Sequence, residues 1–384
     1  MVSTIAATRA MTITADTVFF CFGLIISTYL LKSLYLRFQM MPYIIHSFRS
    51  ADKFLLCGHV RQHGRQHVWT PGLLRLLDTA VSSAYTRENK DGRCSIAASE
   101  TRKDLYMKSL NELHIGFIGL GNMGGAVAEG FVRAGIPASH IYACGGHFEK
   151  LTARCADISA LAPSDAENAA NMHACHDVAE VADASDLIFI AVKPMKIPTV
   201  IKPYAAHFAG KLVVSVAWGY DLARYEKEEI LPGSAHLLCT IPNIPVSVGK
   251  GIFIAEKATN LTSEEETLVH SLLEKISMVI PVETAQLNIG GIIGGCAPAF
   301  ADVFMEALAD AAVMYGIPRA TAYPLVSKML EGTAALQLAS GRHPAAMKDD
   351  VCSPGGATIR GIASLEEHGF RGAVIDAVKA IQGE

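Results

Sequence analysis

Three glycines, Gly119, Gly121 and Gly124, have the spacing G-x-G-x-x-G, which suits the binding of a dinucleotide. In such a motif the first glycine allows a tight turn, the second lets the backbone approach a pyrophosphate, and the third lets a helix pack on a strand. The free N–H groups at the helix N-terminus then stabilise the phosphate charge. Alone the spacing is a weak signal, because a purely structural glycine turn uses the same residues.

A second group of residues with chemical potential lies near the end of the chain, where residues 353–358 read S-P-G-G-A-T. The segment predicts a glycine turn that opens a helix at 357–368. A helix N-terminus without bulky side chains is suited to a carboxylate or a phosphate. Thr358 adds a hydroxyl in the first turn that can donate or accept one hydrogen bond. An N-cap at Ser353 followed by a glycine turn explains the same residues without any ligand.

The elements that must position these residues form two regions. A buried strand is predicted at 115–118, directly before Gly119, and apolar residues at helical spacing follow it. Further strands are predicted at 141–144, 186–192, 211–217, 237–241 and 252–255. Their alternation with helical segments predicts a doubly wound α/β sheet over residues 112–282. Residues 283–384 are predicted to be all helical, with a long helix at 298–315 and an apolar segment at 325–338 that buries against a second copy of the chain.

The strand predicted at 141–144 is followed by Gly145, Gly146 and His147. It lacks at its tip the acidic residue that commonly holds the ribose hydroxyls in an NAD-specific site. Lys150 and Arg154 follow within reach of a 2′-phosphate. These residues weakly favour NADPH as cofactor, with NADH as the alternative. The solvated face of a helix explains both cations equally well.

Residues 1–106 differ in character from the rest. They contain thirteen Lys and Arg against seven Asp and Glu, whereas the remainder contains twenty against thirty. The acidic larger part argues against a nucleic-acid surface. The apolar run at 13–31 predicts either a membrane anchor or targeting segment, or upstream sequence outside the native protein, with Met107 as the start of the compact part. The expected location is cytoplasmic, with mitochondrial or membrane-anchored alternatives that depend on this run.

Nine cysteines without a C-x-x-C pair are typical of reduced thiols rather than a disulfide framework. His173, Cys175 and His176 lie close together, but no second pair of ligands at metal spacing accompanies them. No metal is therefore expected.

Five motifs occur in an informative order: G-L-G-N-M-G at 119–124, A-V-K-P at 191–194, P-N-I-P at 242–245, A-P-A-F-A-D-V-F-M-E-A-L-A-D-A at 297–311 and S-P-G-G-A-T at 353–358. Over residues 112–381 the chain resembles the pyrroline-5-carboxylate reductase family. The resemblance implies a Rossmann-like domain followed by an all-α dimerisation domain, in the arrangement of 6-phosphogluconate dehydrogenase. It also implies a homodimer or higher homo-oligomer, and reduction of the small cyclic imine L-1-pyrroline-5-carboxylate to L-proline by NADPH or NADH.

The resemblance also implies roles for individual residues. The pyrophosphate would lie at Gly119, Gly121, Asn122 and Met123, and the ribose–nicotinamide end at Val192, Lys193, Pro194 and Ala217. Asp350 matches a position that touches the cofactor. The substrate carboxylate would be bound by Ser353 and by the backbone of Gly355, Gly356, Ala357 and Thr358. Thr358 would hydrogen-bond the ring nitrogen, which makes Thr358 and Ser353 the predicted catalytic residues.

Several positions depart from the family pattern and concern the substrate. The usual I-S-G-S-G-P-A-Y is here I-G-G-C-A-P-A-F, so that Gly294, Cys296 and Phe300 replace two serines and a tyrosine. Trp218 stands where a small residue is common, and Cys239 replaces a frequent arginine. The alternatives are therefore a reductase of a related cyclic imine or a β-hydroxy acid, or a non-catalytic NADP-binding protein. A β-hydroxy acid would call for a lysine on the helix at 298–315, which has none.

Overall fold

An eight-stranded sheet forms the first part of the fold. The computed structural model describes residues 109–163 and 171–383, so the extension at 1–106 and its apolar run at 13–31 lie outside the described residues. The strands are β1 (Ile115–Ile118), β2 (Ile141–Cys144), β3 (His173–Ala174), β4 (Leu187–Ile190), β5 (Leu212–Ser215), β6 (His236–Pro242), β7 (Gly251–Glu256) and β8 (Ser277–Val282).

The strand order is β3-β2-β1-β4-β5-β6-β7-β8. The strands from β3 to β6 are parallel, with Ile115 opposite Ile141 on one side and Leu187 on the other. β7 runs antiparallel to β6 and parallel to β8. The chain therefore leaves β1 towards β2 and β3 and then crosses to β4. Such a crossing is the switch point at which open α/β sheets bind ligands, at the carboxyl ends of their strands.

Both faces of the sheet are buried, as expected for parallel strands covered by helices on each side. Phe117 stacks on Phe189 in one layer at a ring distance of 5.0 Å, and Phe131 packs against Phe189. Neighbouring residues of the same strands, Ile118 and Ile190, belong to the layer on the opposite face. The continuous apolar runs of the sequence thus divide alternately between two cores.

The helices around the sheet are α1 (Asn122–Arg133), α2 (Phe148–Ser159), α3 (Val178–Ala184), α4 (Ile197–Val200), α5 (Leu222–Lys227) and α6 (Ser263–Leu273). Short 3₁₀ helices lie at Leu110–Glu112, Ala138–His140, Pro194–Lys196, Lys202–Phe208, Ile244–Val248 and Thr284–Gln286. The caps of α3, α5 and α6 are side chains of Asp177, Asp221 and Thr262, each of which accepts a backbone N–H of the first turn.

From residue 284 to 383 the described chain is helical. It comprises α7 (Leu287–Gly291), a π-helical turn (Ile292–Cys296), α8 (Ala297–Met314), α9 (Arg319–Ser340), α10 (Pro344–Asp350), α11 (Ala357–Glu367) and α12 (Phe370–Gln382). The α/β sheet followed by an all-helical part confirms the predicted fold class. Two strands were not predicted, β3 and β8. β3 has only two residues, and β8 contains Pro281, which is tolerated there because β8 is an edge strand.

Candidate functional site

The glycine turn between β1 and α1 leaves no room for side chains at two positions. Gly119 has a φ of +99°, and a Cβ atom on it would lie 2.7 Å from the carbonyl oxygen of Ala191. A Cβ atom on Gly124 would collide with the carbonyl oxygen of Gly119. The strand, the turn and the helix can therefore pack this closely only with glycine at both positions.

Gly121 differs from its two neighbours in the motif. Nothing lies within 4 Å of a Cβ atom built on it, so the space in front of it is open. It is also the N-cap residue of α1, and it contributes no side chain to satisfy the free N–H groups of Asn122 and Met123. Open space beside uncapped helix N–H groups is the arrangement that binds a phosphate.

A cavity of about 420 Å³ extends from this turn along the carboxyl ends of β1, β2 and β4. Its lining includes Gly119, Gly145 and Val192. At its outer end Phe148 and His176 stack with a ring distance of 4.1 Å. The cavity has the size and the mixed aromatic and glycine lining that suit the adenosine half of a dinucleotide.

Arg154 and Lys150, the two cations expected near a 2′-phosphate, lie in different surroundings. Arg154 is turned away towards α1, where its guanidinium donates to Glu129 at 2.5 Å. Lys150 is exposed at the start of α2. The charged residues that line the cavity are Lys196 and Asp177, a pair that sequence spacing did not single out. Asp177 is already engaged, because its carboxylate accepts the N–H of Glu180.

Cysteines contribute apolar lining rather than sulfur chemistry. Cys144 and Cys175 lie next to each other at the ends of β2 and β3 and line the cavity. Burial, reinforced by the proximity of Cys175, raises the pKa of the Cys144 thiol to about 12. The thiol is therefore protonated at neutral pH and does not act as a nucleophile.

The residues predicted at the nicotinamide end follow adjacent strands. Val192 and Lys193 lie two and three residues after the end of β4, and the buried Ala217 lies two residues after the end of β5. The N–H of Ala217 donates to the Ser215 hydroxyl at 3.3 Å, and that hydroxyl also bonds the Tyr225 hydroxyl at 2.8 Å. Since adjacent strands are about 4.8 Å apart, these residues form one edge together with the glycine turn. Pro194 begins the 3₁₀ helix that leads away from this edge.

Two buried polar residues join this edge to the helical part. Asn243 of the P-N-I-P motif donates from its Nδ2 to the Gly294 carbonyl at 3.0 Å and accepts the Ile252 N–H at its Oδ1, also at 3.0 Å. Glu256, only 2% exposed, accepts the Leu222 N–H at 2.9 Å. The Thr284 hydroxyl donates to the other oxygen of Glu256 at 2.6 Å.

Sequence reasoning found Asn243 through its motif but not its role. Nothing in the sequence marks Glu256. It is one of two charged residues among the buried side chains of the described chain, the other being Glu265. Its importance follows only from the strand end at which it lies.

The loop predicted to bind substrate forms the expected glycine turn. Gly355 has a φ of +67°, and the Gly356 N–H donates to the carbonyl of Ser353 at 2.9 Å. The N-cap of α11 is Gly356 rather than Ser353, so the first-turn N–H groups lack a side-chain cap here as well. Thr358 lies exposed in the first turn, and Arg360 donates to the Gly355 carbonyl at 3.3 Å.

In the single chain this loop is exposed to solvent, including its residues Ser353 and Thr358. Asp350, expected to touch the cofactor, forms an ion pair with Arg342 at 2.6 Å in the single chain, and this contact lowers the pKa of the Asp350 carboxyl. The structure thus brings together the residues of the glycine turn, Val192, Lys193 and Ala217. The residues of the 353–358 turn form a separate, second group.

The open space at Gly121 makes a direct prediction. Replacement of Gly121 by alanine places a methyl group where a phosphate must approach, so we expect NADPH to bind at least about tenfold more weakly. The free energy of unfolding is expected to change by no more than about 1 kcal/mol. Calorimetric titration with NADPH and urea denaturation measure the two effects.

The matched control is Gly233→Ala, in an exposed loop where a Cβ atom also meets nothing within 4 Å. It is expected to change neither quantity. Unchanged NADPH affinity in Gly121→Ala would show that the turn holds no phosphate.

Known proteins resemble both parts of this arrangement. Residues 284–383 match the family model described as pyrroline-5-carboxylate reductase dimerisation, and residues 114–219 match the one described as NADP oxidoreductase, coenzyme F420-dependent. The chain is 45% identical over 272 residues to the pyrroline-5-carboxylate reductase of Treponema pallidum, with 70% of this chain and 98% of that protein covered.

More distant relatives agree. The chain is 34% identical to pyrroline-5-carboxylate reductase 3 of Macaca fascicularis, with 69% and 92% of the two chains covered. The crystal structure of Plasmodium falciparum pyrroline carboxylate reductase with NADP bound matches this chain with a TM-score of 0.60 and a sequence identity of 27%. The match covers 71% of this chain and 96% of that one. The motifs, the fold and these relatives together place the chain in the pyrroline-5-carboxylate reductase family.

Proposed function

We propose that this protein reduces L-1-pyrroline-5-carboxylate to L-proline with NADPH. The observation that carries the proposal is a pair of helix N-termini that lack capping side chains, at Gly121 for α1 and at Gly356 for α11. The reaction has two anionic ligands, a dinucleotide and a ring carboxylate. Each N-terminus offers unpaired N–H groups to one of them.

The chemistry requires alignment more than a strong base. Bound NADPH supplies the hydride, which goes to the carbon of the C=N bond. A protonated imine is already electrophilic and carries the proton that remains on the nitrogen of the product. The backbone N–H groups of the 355–358 turn hold the carboxylate, and the Thr358 hydroxyl orients the ring nitrogen and hydrogen-bonds the developing amine.

NADPH is proposed as the preferred cofactor, with NADH as the alternative. The second strand ends in Gly145 and Gly146 without an acid, and Lys196 supplies positive charge at the cavity. The Plasmodium falciparum relative binds NADP. Asp177 in the same cavity is the feature that favours NADH: one of its carboxylate oxygens accepts the Glu180 N–H, and a ribose hydroxyl would have to donate to the other.

We further propose that the helical part forms a homodimer. The segment Thr284–Met314 has the length and composition of a membrane span, with a mean hydropathy of 1.5, yet only 17% of its most apolar window is buried within the chain. Large apolar side chains are exposed along α8 and α9 and the turn between them, namely Val303, Met314, Tyr315, Leu336 and Leu338. A second copy would cover this surface and close over the exposed substrate loop.

The alternative of a β-hydroxy acid substrate is less well supported. It calls for a lysine on the long helix, and α8 contains none. A carboxylate-bearing cyclic imine of another ring size fits the same two anion sites, and a comparison of the rates with the two imines distinguishes it from pyrroline-5-carboxylate.

The proposal predicts turnover by the full-length chain. NADPH and synthetic pyrroline-5-carboxylate are expected to give L-proline, with oxidation followed by the absorbance of NADPH. Parallel assays with NADH are expected to show a lower kcat/KM. Binding of NADPH without turnover of the imine with either cofactor would refute the enzymatic assignment.

Thr358→Ala is expected to lower kcat by about 100-fold, the usual cost of removing one hydrogen-bond donor from the reacting group. The affinity for NADPH is expected to stay nearly unchanged, because the hydroxyl serves the substrate. Thr358→Ser is the matched control and should retain most of the activity. An equal fall in NADPH affinity would mean that Thr358 lies at the cofactor instead.

Val303→Lys is expected to shift the protein from dimer to monomer in analytical ultracentrifugation, because a charge would be buried in the apolar interface. Met195→Lys is the control, since Met195 lies beside the sheet and is even more exposed, at 82% against 67%. The proposed interface is wrong if both variants remain dimeric.

A further inference from the structure

Trp218 is the large side chain at the edge where the predicted nicotinamide residues lie. It follows Ala217 directly, three residues after the end of β5, and is partly buried. Its indole packs in a small apolar cluster with Ile241, Ile254 and Leu287. This cluster joins the sheet to the first helix of the helical part.

On another side the indole faces two glycines, Gly291 and Gly295, which present no side chains to it. A Cβ atom on Gly291 would lie 3.0 Å from Cζ3 and 3.2 Å from Cη2 of Trp218, and 2.6 Å from Cδ1 of Ile241. A Cβ atom on Gly295 would lie 3.8 Å from Cζ3. We call these two glycines the glycine cradle. An alanine at 291 would force the Trp218 ring and the end of the Ile241 side chain to shift, so the absence of a side chain there makes room for the flat ring of Trp218.

Hydrogen bonds of Asn243 fix the position of the cradle relative to the sheet. Gly295 lies in the π-helical turn Ile292–Cys296, and such turns occur frequently at functional sites. The carbonyl of Gly294 in this turn accepts the buried Asn243 side chain, which is itself bonded to β7. The indole therefore has little freedom to move away from the strand ends.

The topology places Trp218 on the nicotinamide side of the cofactor. The cavity proposed for adenosine extends from Gly119 over the ends of β2 and β3, and residues that follow β4 line its other side, whereas no residue that follows β5 lines it. β4 and β5 lie on the other side, so the nicotinamide half must extend from the glycine turn past Val192 towards the end of β5. The distance is two strand spacings, about 10 Å, which a nicotinamide riboside can span.

We propose that Trp218 limits the size of the cyclic imine that the site accepts. This inference rests on the proposed function, because it concerns the same reduction. Held between the cradle and the strand ends, the indole takes up the volume that one more ring atom of a substrate would need. The expected preference is for a five-membered cyclic imine carboxylate over its six-membered homologue.

The test compares the two imines in the wild type and in Trp218→Ala, using the full chain. The ratio of kcat/KM for the five-membered imine to that for the six-membered one is expected to fall by about tenfold or more in Trp218→Ala, since one methylene is typically worth 10–200-fold in a fitted pocket. Trp218→Phe is expected to give an intermediate ratio. Leu287→Ala, in the same cluster, tests for a merely structural effect and should leave the ratio unchanged.

A binding measurement gives the same comparison without turnover. L-Proline and its six-membered saturated homologue are each titrated into the protein saturated with NADP⁺. The ratio of their two affinities is expected to move towards one in Trp218→Ala and Trp218→Phe. A ratio that is unchanged in Trp218→Ala and in Trp218→Phe, while L-proline still binds, would overturn the role of Trp218. If the wild type neither reduces the imine nor binds L-proline, the proposed function itself fails.

Discussion

The contact between Gly124 and the carbonyl oxygen of Gly119 is the constraint on which the rest of the site depends. Any side chain at position 124 would collide with that oxygen, and any side chain at 119 would meet the backbone after β4. Only with both glycines can α1 begin directly above the end of β1. The uncapped N–H groups of α1 then face open space at Gly121, and the strand ends on either side become a binding edge.

Two buried polar side chains connect this edge to the helical part. Asn243 holds the π-helical turn, and Glu256 holds both the start of α5 and Thr284. Leaving such a group without its partner costs about 1–3 kcal/mol, and more for a charged one, so each bond favours one arrangement of helices over sheet. Trp218 packs beside Ile241 and against the glycine cradle, where the missing side chains leave room for its indole.

Much of the fold could be predicted from the sequence because its central strands are continuous apolar runs and its glycines mark the turns. β1, β2, β4, β5, β6 and β7 were all predicted; the bounds of β1 and β2 match, and the ends of the other four differ by one or two residues. β3 and β8 were not, since an edge strand needs neither length nor an unbroken apolar pattern. The contact between Arg154 and Glu129 was also unforeseen, because it joins residues 25 positions apart on two helices.

By itself the sequence determined the fold class, the two glycine turns and the family, since these depend on residue types at short spacing. Tertiary structure alone decided what Glu256, Asp177 and the glycine cradle do, because those roles arise where distant segments meet. It also showed that the 353–358 turn is exposed in the single chain. No local pattern encodes that exposure, which depends on which surfaces one chain can cover and which it leaves for a second copy.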